Sequence, residues 1–121
     1  MAKILIVDDS KVIRDLLTEF LGELSYQVDS AEDGAKGLKM ASDGGYDLCI
    51  CDVHLPKLNG YQILTELGEA RGKMQFIFTD SLPDELADQI RKTTGFACLG
   101  KPFDLHQLTE IITQSLEKIH T

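Results

Sequence analysis

Residues 4–10 read Ile4-Leu5-Ile6-Val7-Asp8-Asp9-Ser10, and beyond them Ile13, Leu16, Leu17, Phe20, Leu21 and Leu24 recur at three- and four-residue steps. The first four residues form a continuous aliphatic run of strand length. The second set marks one face of an amphipathic helix. Ser10 stands where that helix needs an N-cap, since its hydroxyl can accept from an unpaired backbone N–H of the first turn. A strand, a turn carrying two acids and a helix make one β–α unit.

Working outward, the same alternation repeats. Further strands are predicted over Gln27–Ala31, Tyr46–Cys51, Met74–Thr79 and Phe96–Leu99, each followed by a stretch of helical period. The second helix follows Asp33 and runs from Gly34 to Ala41. The third starts at Asn59-Gly60 and buries Ile63, Leu64 and Leu67. The fourth has Pro83 in its first turn, where a missing N–H costs little, and carries Leu86 and Ile90. The fifth has Asp104 as N-cap and a stripe of Leu105, Leu108, Ile112 and Ile119. Five β–α units in series imply an α/β fold with a parallel sheet, right-handed crossovers and helices on both faces. The first, third and fourth strands read as apolar runs buried on both faces, whereas Gln27-Val28-Asp29-Ser30 alternates as an edge strand does. The strand order this predicts is 2-1-3-4-5, a flavodoxin-like doubly wound sheet of five strands with five helices.

Ligands bind such sheets where the chain leaves neighbouring strands toward opposite edges, at the strands' carboxyl ends. Strand one ends in Val7-Asp8-Asp9, strand three in Cys51-Asp52, strand four in Phe78-Thr79-Asp80 and strand five in Gly100-Lys101-Pro102. Singly, each residue has a plain structural explanation: a helix cap, a turn acid, a β-favouring threonine, a solvated lysine. Together they place four acids, a hydroxyl and an amine on one rim. Carboxylates crowded this way repel and need a cation to stay ionised. Hard oxygen ligands with room for water suit Mg²⁺. One carboxylate could then attack phosphorus, with Thr79 donating to a phosphoryl oxygen and Lys101 neutralising another.

Composition narrows the alternatives. The 121 residues suffice for one domain with a real core, and 43% hydrophobic with 26% charged residues argues against disorder. A net charge of −8 supplies no basic stripe for phosphates or acidic lipid, so neither direct nucleic-acid binding nor membrane insertion is expected. The longest apolar runs are strand-sized and the start lacks a signal-peptide layout, which predicts a cytoplasmic protein. Cys49, Cys51 and Cys98 lie in apolar stretches and read as reduced core residues without the further ligands a zinc site requires.

Four segments in this order resemble the response-regulator receiver family: residues 4–9, the run Cys51-Asp52-Val53-His54-Leu55-Pro56-Lys57-Leu58-Asn59-Gly60, Phe76-Ile77-Phe78-Thr79, and Gly100-Lys101-Pro102-Phe103. The resemblance extends over essentially the whole chain and implies a single receiver domain, 1–121. It implies Asp52 as phosphoacceptor, forming an acyl phosphate. Mg²⁺ would be held by Asp9 directly, Asp8 chiefly through water, Asp52 and the His54 backbone carbonyl. It further implies Thr79 and Lys101 as partners of the phosphoryl group, a cis Lys101–Pro102 bond, and a histidine kinase, phosphotransfer protein or small acyl phosphate as donor. Output would pass to a target protein through the face made by helix four, strand five and helix five. Such a chain is a signalling phosphoacceptor that catalyses its own phosphorylation and dephosphorylation, and not an enzyme acting on other substrates.

Two positions depart from the family pattern. Asp80 stands where a small residue is usual, and Cys98 where an aromatic ring is usual, with Phe96 too far back along the strand to replace it. Asp80, the adjacent Ser81, His54 and Cys98 are therefore candidate modulating positions, His54 because its place in the family tunes acyl-phosphate hydrolysis. His106 and His120 read as surface residues. The competing reading is a degenerate receiver acting as a phosphorylation-independent interaction module, which the complete set Asp8, Asp9, Asp52, Thr79 and Lys101 opposes. A flavodoxin-type carrier would need a hydroxyl- and glycine-rich first loop in place of Asp8-Asp9-Ser10-Lys11. An aspartyl phosphatase would need a cap domain. With no effector segment between Met1 and Thr121, a stand-alone shuttle or motility-type regulator is the expectation.

Overall fold

The computed structural model describes residues 1–80 and 85–120, the side chain of His120 excepted. The strands are β1 (Lys3–Val7), β2 (Gln27–Ala31), β3 (Leu48–Asp52), β4 (Gln75–Asp80) and β5 (Ala97–Gly100), and the helices α1 (Lys11–Glu23), α2 (Gly34–Asp43), α3 (Gly60–Leu67), α4 (Glu85–Thr94) and α5 (Leu105–Glu117). All strand pairs are parallel, in the order β2-β1-β3-β4-β5. The five units and their order are those expected from the sequence. Pro83 and Ser81 lie outside the described residues, as does the side chain of His120.

The starts of α1, α2, α3 and α5 have local causes. The Ser10 hydroxyl accepts from the Ile13 N–H, Asp33 from Lys36, and Asp104 from His106. Asn59 and Gln62 form a reciprocal capping box at the head of α3. Short 3₁₀ turns, Gly68–Arg71 and Lys118–His120, extend α3 and α5 and were not legible in the sequence.

Two apolar layers flank the sheet. Ile4, Ile6, Leu48, Ile50, Ile77 and Leu99 face Leu17 and Leu21 of α1 and Leu108 and Ile112 of α5. Leu5, Val7, Cys49, Cys51, Phe76 and Phe78 face the other side, against Ala41, Ile63, Leu67 and Ile90. The α1 stripe is narrower than its periodicity suggested. Leu16 is 45% exposed and Leu24 44%, because a helix lying on a sheet buries one narrow face and Leu16 sits on its shoulder. Strand ends also moved: β3 and β4 extend through Asp52 and Asp80, which pair in register with their neighbours. Cys49 and Cys51 are buried and free, and Cys98 is free and half-buried. A hydrogen bond to Cys49, reinforced by burial, holds the Cys51 thiol well above its ordinary range, which fits inert core residues.

Candidate functional site

Strand alternation builds the site. Ile4 and Ile6, Leu48 and Ile50, Ile77, and Leu99 all face the α1/α5 layer. Two residues further along each strand come Asp8, Asp52, Thr79 and Lys101, which continue on that same face. The pairing persists just past the strands: the Asp8 N–H donates to Ala31, Val53 to Thr79 and Lys101 to Asp80. Asp52 and Thr79 are direct register partners. The sheet thus delivers the four groups to one rim, and all but Lys101 are buried.

Lys101 Nζ lies 2.7 Å from Asp8 Oδ2 and 3.1 Å from Asp52 Oδ2, bridging two carboxylates that are 3% and 4% exposed as residues. The other oxygens are engaged by backbone: Asp8 Oδ1 accepts from the Ser10 N–H at 2.8 Å and Asp52 Oδ1 from the His54 N–H at 3.2 Å. Arg14 Nη1 donates to the Asp8 carbonyl at 2.9 Å. Burial pushes the Asp52 carboxyl above its ordinary range and the charge of Asp8 adds to this, while Lys101 opposes both. For Lys101, burial pulls the ammonium down, but the bonds and charges of Asp8 and Asp52 outweigh it and raise it overall. The Lys101–Pro102 peptide is cis, as the family resemblance implies.

Asp9 is exposed, yet the turn returns its carboxylate toward the others: oxygens of Asp8, Asp9 and Asp52 lie within 4.8 Å of one another. That donor set of three carboxylates, two of them buried, is chemically right for a hard divalent cation such as Mg²⁺. Among the described residues it is the one group of this kind.

The modulating positions fall elsewhere. Asp80 follows Phe78 by two residues and so turns to the α2/α3/α4 side of the sheet, away from Asp52 and Thr79. Its Oδ1 is 3.8 Å from His54 Nε2. Cys98, on that same side, has its thiol pushed up, chiefly by burial. His106 is exposed and pairs with Glu110 at 3.0 Å. Sequence reasoning missed Arg14 and the Ser10 N–H as braces of Asp8. The first is a helix residue whose target is a backbone carbonyl, and no pattern of residue types announces such a contact.

A doubly wound sheet with buried acids and a lysine at its switch point defines a class, and comparison with known proteins identifies it. The model of the response regulator receiver domain matches residues 4–113, and the chain belongs to that family, the receiving modules of two-component phosphorelays. It is 36% identical over 120 residues to the transcriptional regulatory protein PcoR of Escherichia coli, covering 98% of this chain and 53% of that protein. To the sensor histidine kinase RcsC of Escherichia coli (strain K12) it is 29% identical over 117 residues, covering 96% of this chain and 12% of that protein. The chain thus spans about half of one relative's length, and far less of the other's. Among solved structures, a CheY-like response regulator receiver domain protein from Methanospirillum hungatei JF-1 superposes with a TM-score of 0.92 at 26% identity, covering 99% and 97% of the two chains. The chemotaxis protein CheY4 of Vibrio cholerae gives 0.82 at 26% identity, covering 95% and 98%.

Proposed function

We propose that residues 1–121 act as one receiver domain in which Asp52 accepts a phosphoryl group. The observation that carries this is the Lys101 ammonium held between Asp8 and Asp52, with Thr79 in register beside the acceptor. Asp8, Asp9, Asp52 and the His54 carbonyl would hold Mg²⁺, which supplies positive charge against the phosphoryl oxygens. A carboxylate oxygen of Asp52 attacks phosphorus, forming the acyl phosphate. The bond from phosphorus to the donor's imidazole nitrogen or acyl oxygen breaks, and the leaving group keeps the electron pair. The Thr79 hydroxyl donates to one phosphoryl oxygen and Lys101 Nζ to another. Water later cleaves the acyl phosphate, with Asp80, Ser81, His54 and Cys98 setting rates or response around this centre.

The donor is a sensor histidine kinase, a phosphotransfer protein or a small acyl phosphate. An apolar hollow of about 340 Å³, lined by Ile13, Leu16, Lys101, Pro102, Phe103 and Leu105, shares Lys101 with the site and suits the docking of a donor protein. Output passes to a target protein through the α4–β5–α5 face. Among the described residues no helix is long and apolar enough to cross a membrane, which agrees with a cytoplasmic module. The test is incubation with acetyl phosphate and Mg²⁺. One hydroxylamine-labile phosphoryl group should appear by mass, and none on Asp52→Asn. Stoichiometric label on that variant would remove Asp52 as acceptor, whereas no label on the wild type would favour a phosphorylation-independent interaction module.

A further inference from the structure

The loop between β3 and α3, residues 53–59, carries the His54 carbonyl. The Val53 N–H ties its first end to Thr79 of β4, and the Gly60 N–H closes its far end back onto the Val53 carbonyl. Its middle is held from outside. Lys57 sits at φ +73°, and the Leu58 N–H donates back to the Pro56 carbonyl at 2.9 Å. A residue with a Cβ adopts that tight three-residue turn only under strain, so the surroundings must enforce it. The same Pro56 carbonyl accepts a second bond, at 3.1 Å, from the Gly34 N–H at the first residue of α2. Asp33, the N-cap of α2, places Oδ2 3.3 Å from Lys57 Nζ while its Oδ1 accepts from the Lys36 N–H at 2.8 Å.

The contact leaves no room for a side chain. A Cβ on Gly34 would lie 1.9 Å from the Leu58 carbonyl oxygen and 2.7 Å from its carbon. Both are backbone atoms that cannot step aside without moving the loop. Gly34 is not among the residues of positive φ, so its glycine serves close approach and not a turn.

We infer that the first turn of α2 clamps the phosphoacceptor site: Gly34, and Asp33 acting through Lys57, are positioning residues that fix the β3–α3 loop and with it the His54 carbonyl and the Asp52–His54 hydrogen bond. The inference deepens the proposed function and rests on it. Neither the Asp33 nor the Lys57 side chain reaches the acceptor; with Gly34 they act through the loop backbone, as outer partners orient the ligands of metal sites.

The test is calorimetric Mg²⁺ titration of the full chain, with thermal unfolding recorded alongside. Gly34→Ala should weaken Mg²⁺ binding about tenfold, the lower end of what losing an outer-shell support costs. Asp33→Asn keeps an N-capping side chain but loses the ion pair, and should weaken binding by a smaller factor. Gly37→Ala is the control. Its Cβ would crowd the Val7 methyls at 2.8 and 2.9 Å, so it should lower the melting temperature yet leave Mg²⁺ affinity unchanged. Wild-type affinity in Gly34→Ala, or an equal loss in Gly37→Ala, overturns the clamp. Should Gly34→Ala fail to fold, unchanged affinity in Asp33→Asn overturns it instead. A wild type that binds no Mg²⁺ would sink the proposed function, and the clamp with it.

Discussion

Replacing Lys101 by Met keeps the length of the side chain and removes the cation that bridges Asp8 and Asp52. At 2.7 and 3.1 Å and an effective dielectric near 20, the two attractions are roughly 6 and 5 kcal/mol, most of it offset by desolvating three charged groups. Experience with broken buried pairs sets the net loss at about 3 kcal/mol, because two buried carboxylates are left facing each other. For a chain of this size that is about 12 °C in melting temperature. The loss depends on pH with a definite sign. Burial already raises the Asp52 carboxyl, so the folded state binds its proton more tightly than the unfolded state. Stability therefore falls as pH rises from the unfolded value near ~3.9 through the raised folded value. Removing Lys101 raises the Asp52 value further and deepens that fall. The ammonium, itself raised, contributes stability below its unfolded value of ~10.4 and loses it only as pH climbs through the folded one, so the contrast is complete at pH 7. Thermal melts of Lys101→Met should fall short of wild type by about 12 °C at pH 7, and the gap should narrow toward pH 4 as Asp52 takes up its proton. Mg²⁺ at a hundredfold excess over its dissociation constant should return about 2.7 kcal/mol to the variant, since the cation replaces the missing charge. Equal melting temperatures at pH 7 without metal would show that Lys101 does not hold the two acids, and the reasoning would fail.

Asp9→Ala should weaken Mg²⁺ binding more than Asp8→Ala does, because among the described residues Asp9 pairs with no lysine, and it is the proposed direct ligand; equal losses in a titration would refute this ranking. Asp80→Ala should speed phosphoryl uptake from acetyl phosphate, but by less than about tenfold, since the carboxylate lies on the opposite face of the sheet beside His54. A stopped-flow rate that stays constant or falls would mean Asp80 assists the reaction or does not sense it. Beryllofluoride bound at Asp52 should shift the Thr79 and Asp80 amides more than that of Cys98, which has no ring to rotate. Shifts of equal size at Cys98 would contradict that.

Much of this protein was legible in its residues because sheet and helix periods are local. Ile4-Leu5-Ile6-Val7 before two acids, and four further runs like it, already specified five parallel strands, their order and the rim where Asp8, Asp52, Thr79 and Lys101 meet. Ser10, Asp33, Asn59 and Asp104 announced their helices for the same reason, as capping is settled within four residues. What Asp80 meets needed the folded sheet. Asp80 stands next to Thr79 in the chain, yet strand alternation points it to the other layer, where it meets His54. The α1 stripe likewise looked wider in the sequence than the sheet could cover, leaving Leu16 exposed. The contact between α2 and the β3–α3 loop could not be read at all. Gly34 and Leu58 lie 24 positions apart, neither belongs to a periodic pattern, and only the packing of one helix start against one strained turn brings them within touching distance. Local chemistry determines which element each residue joins; which backbone atoms collide across elements is decided by how those elements pack.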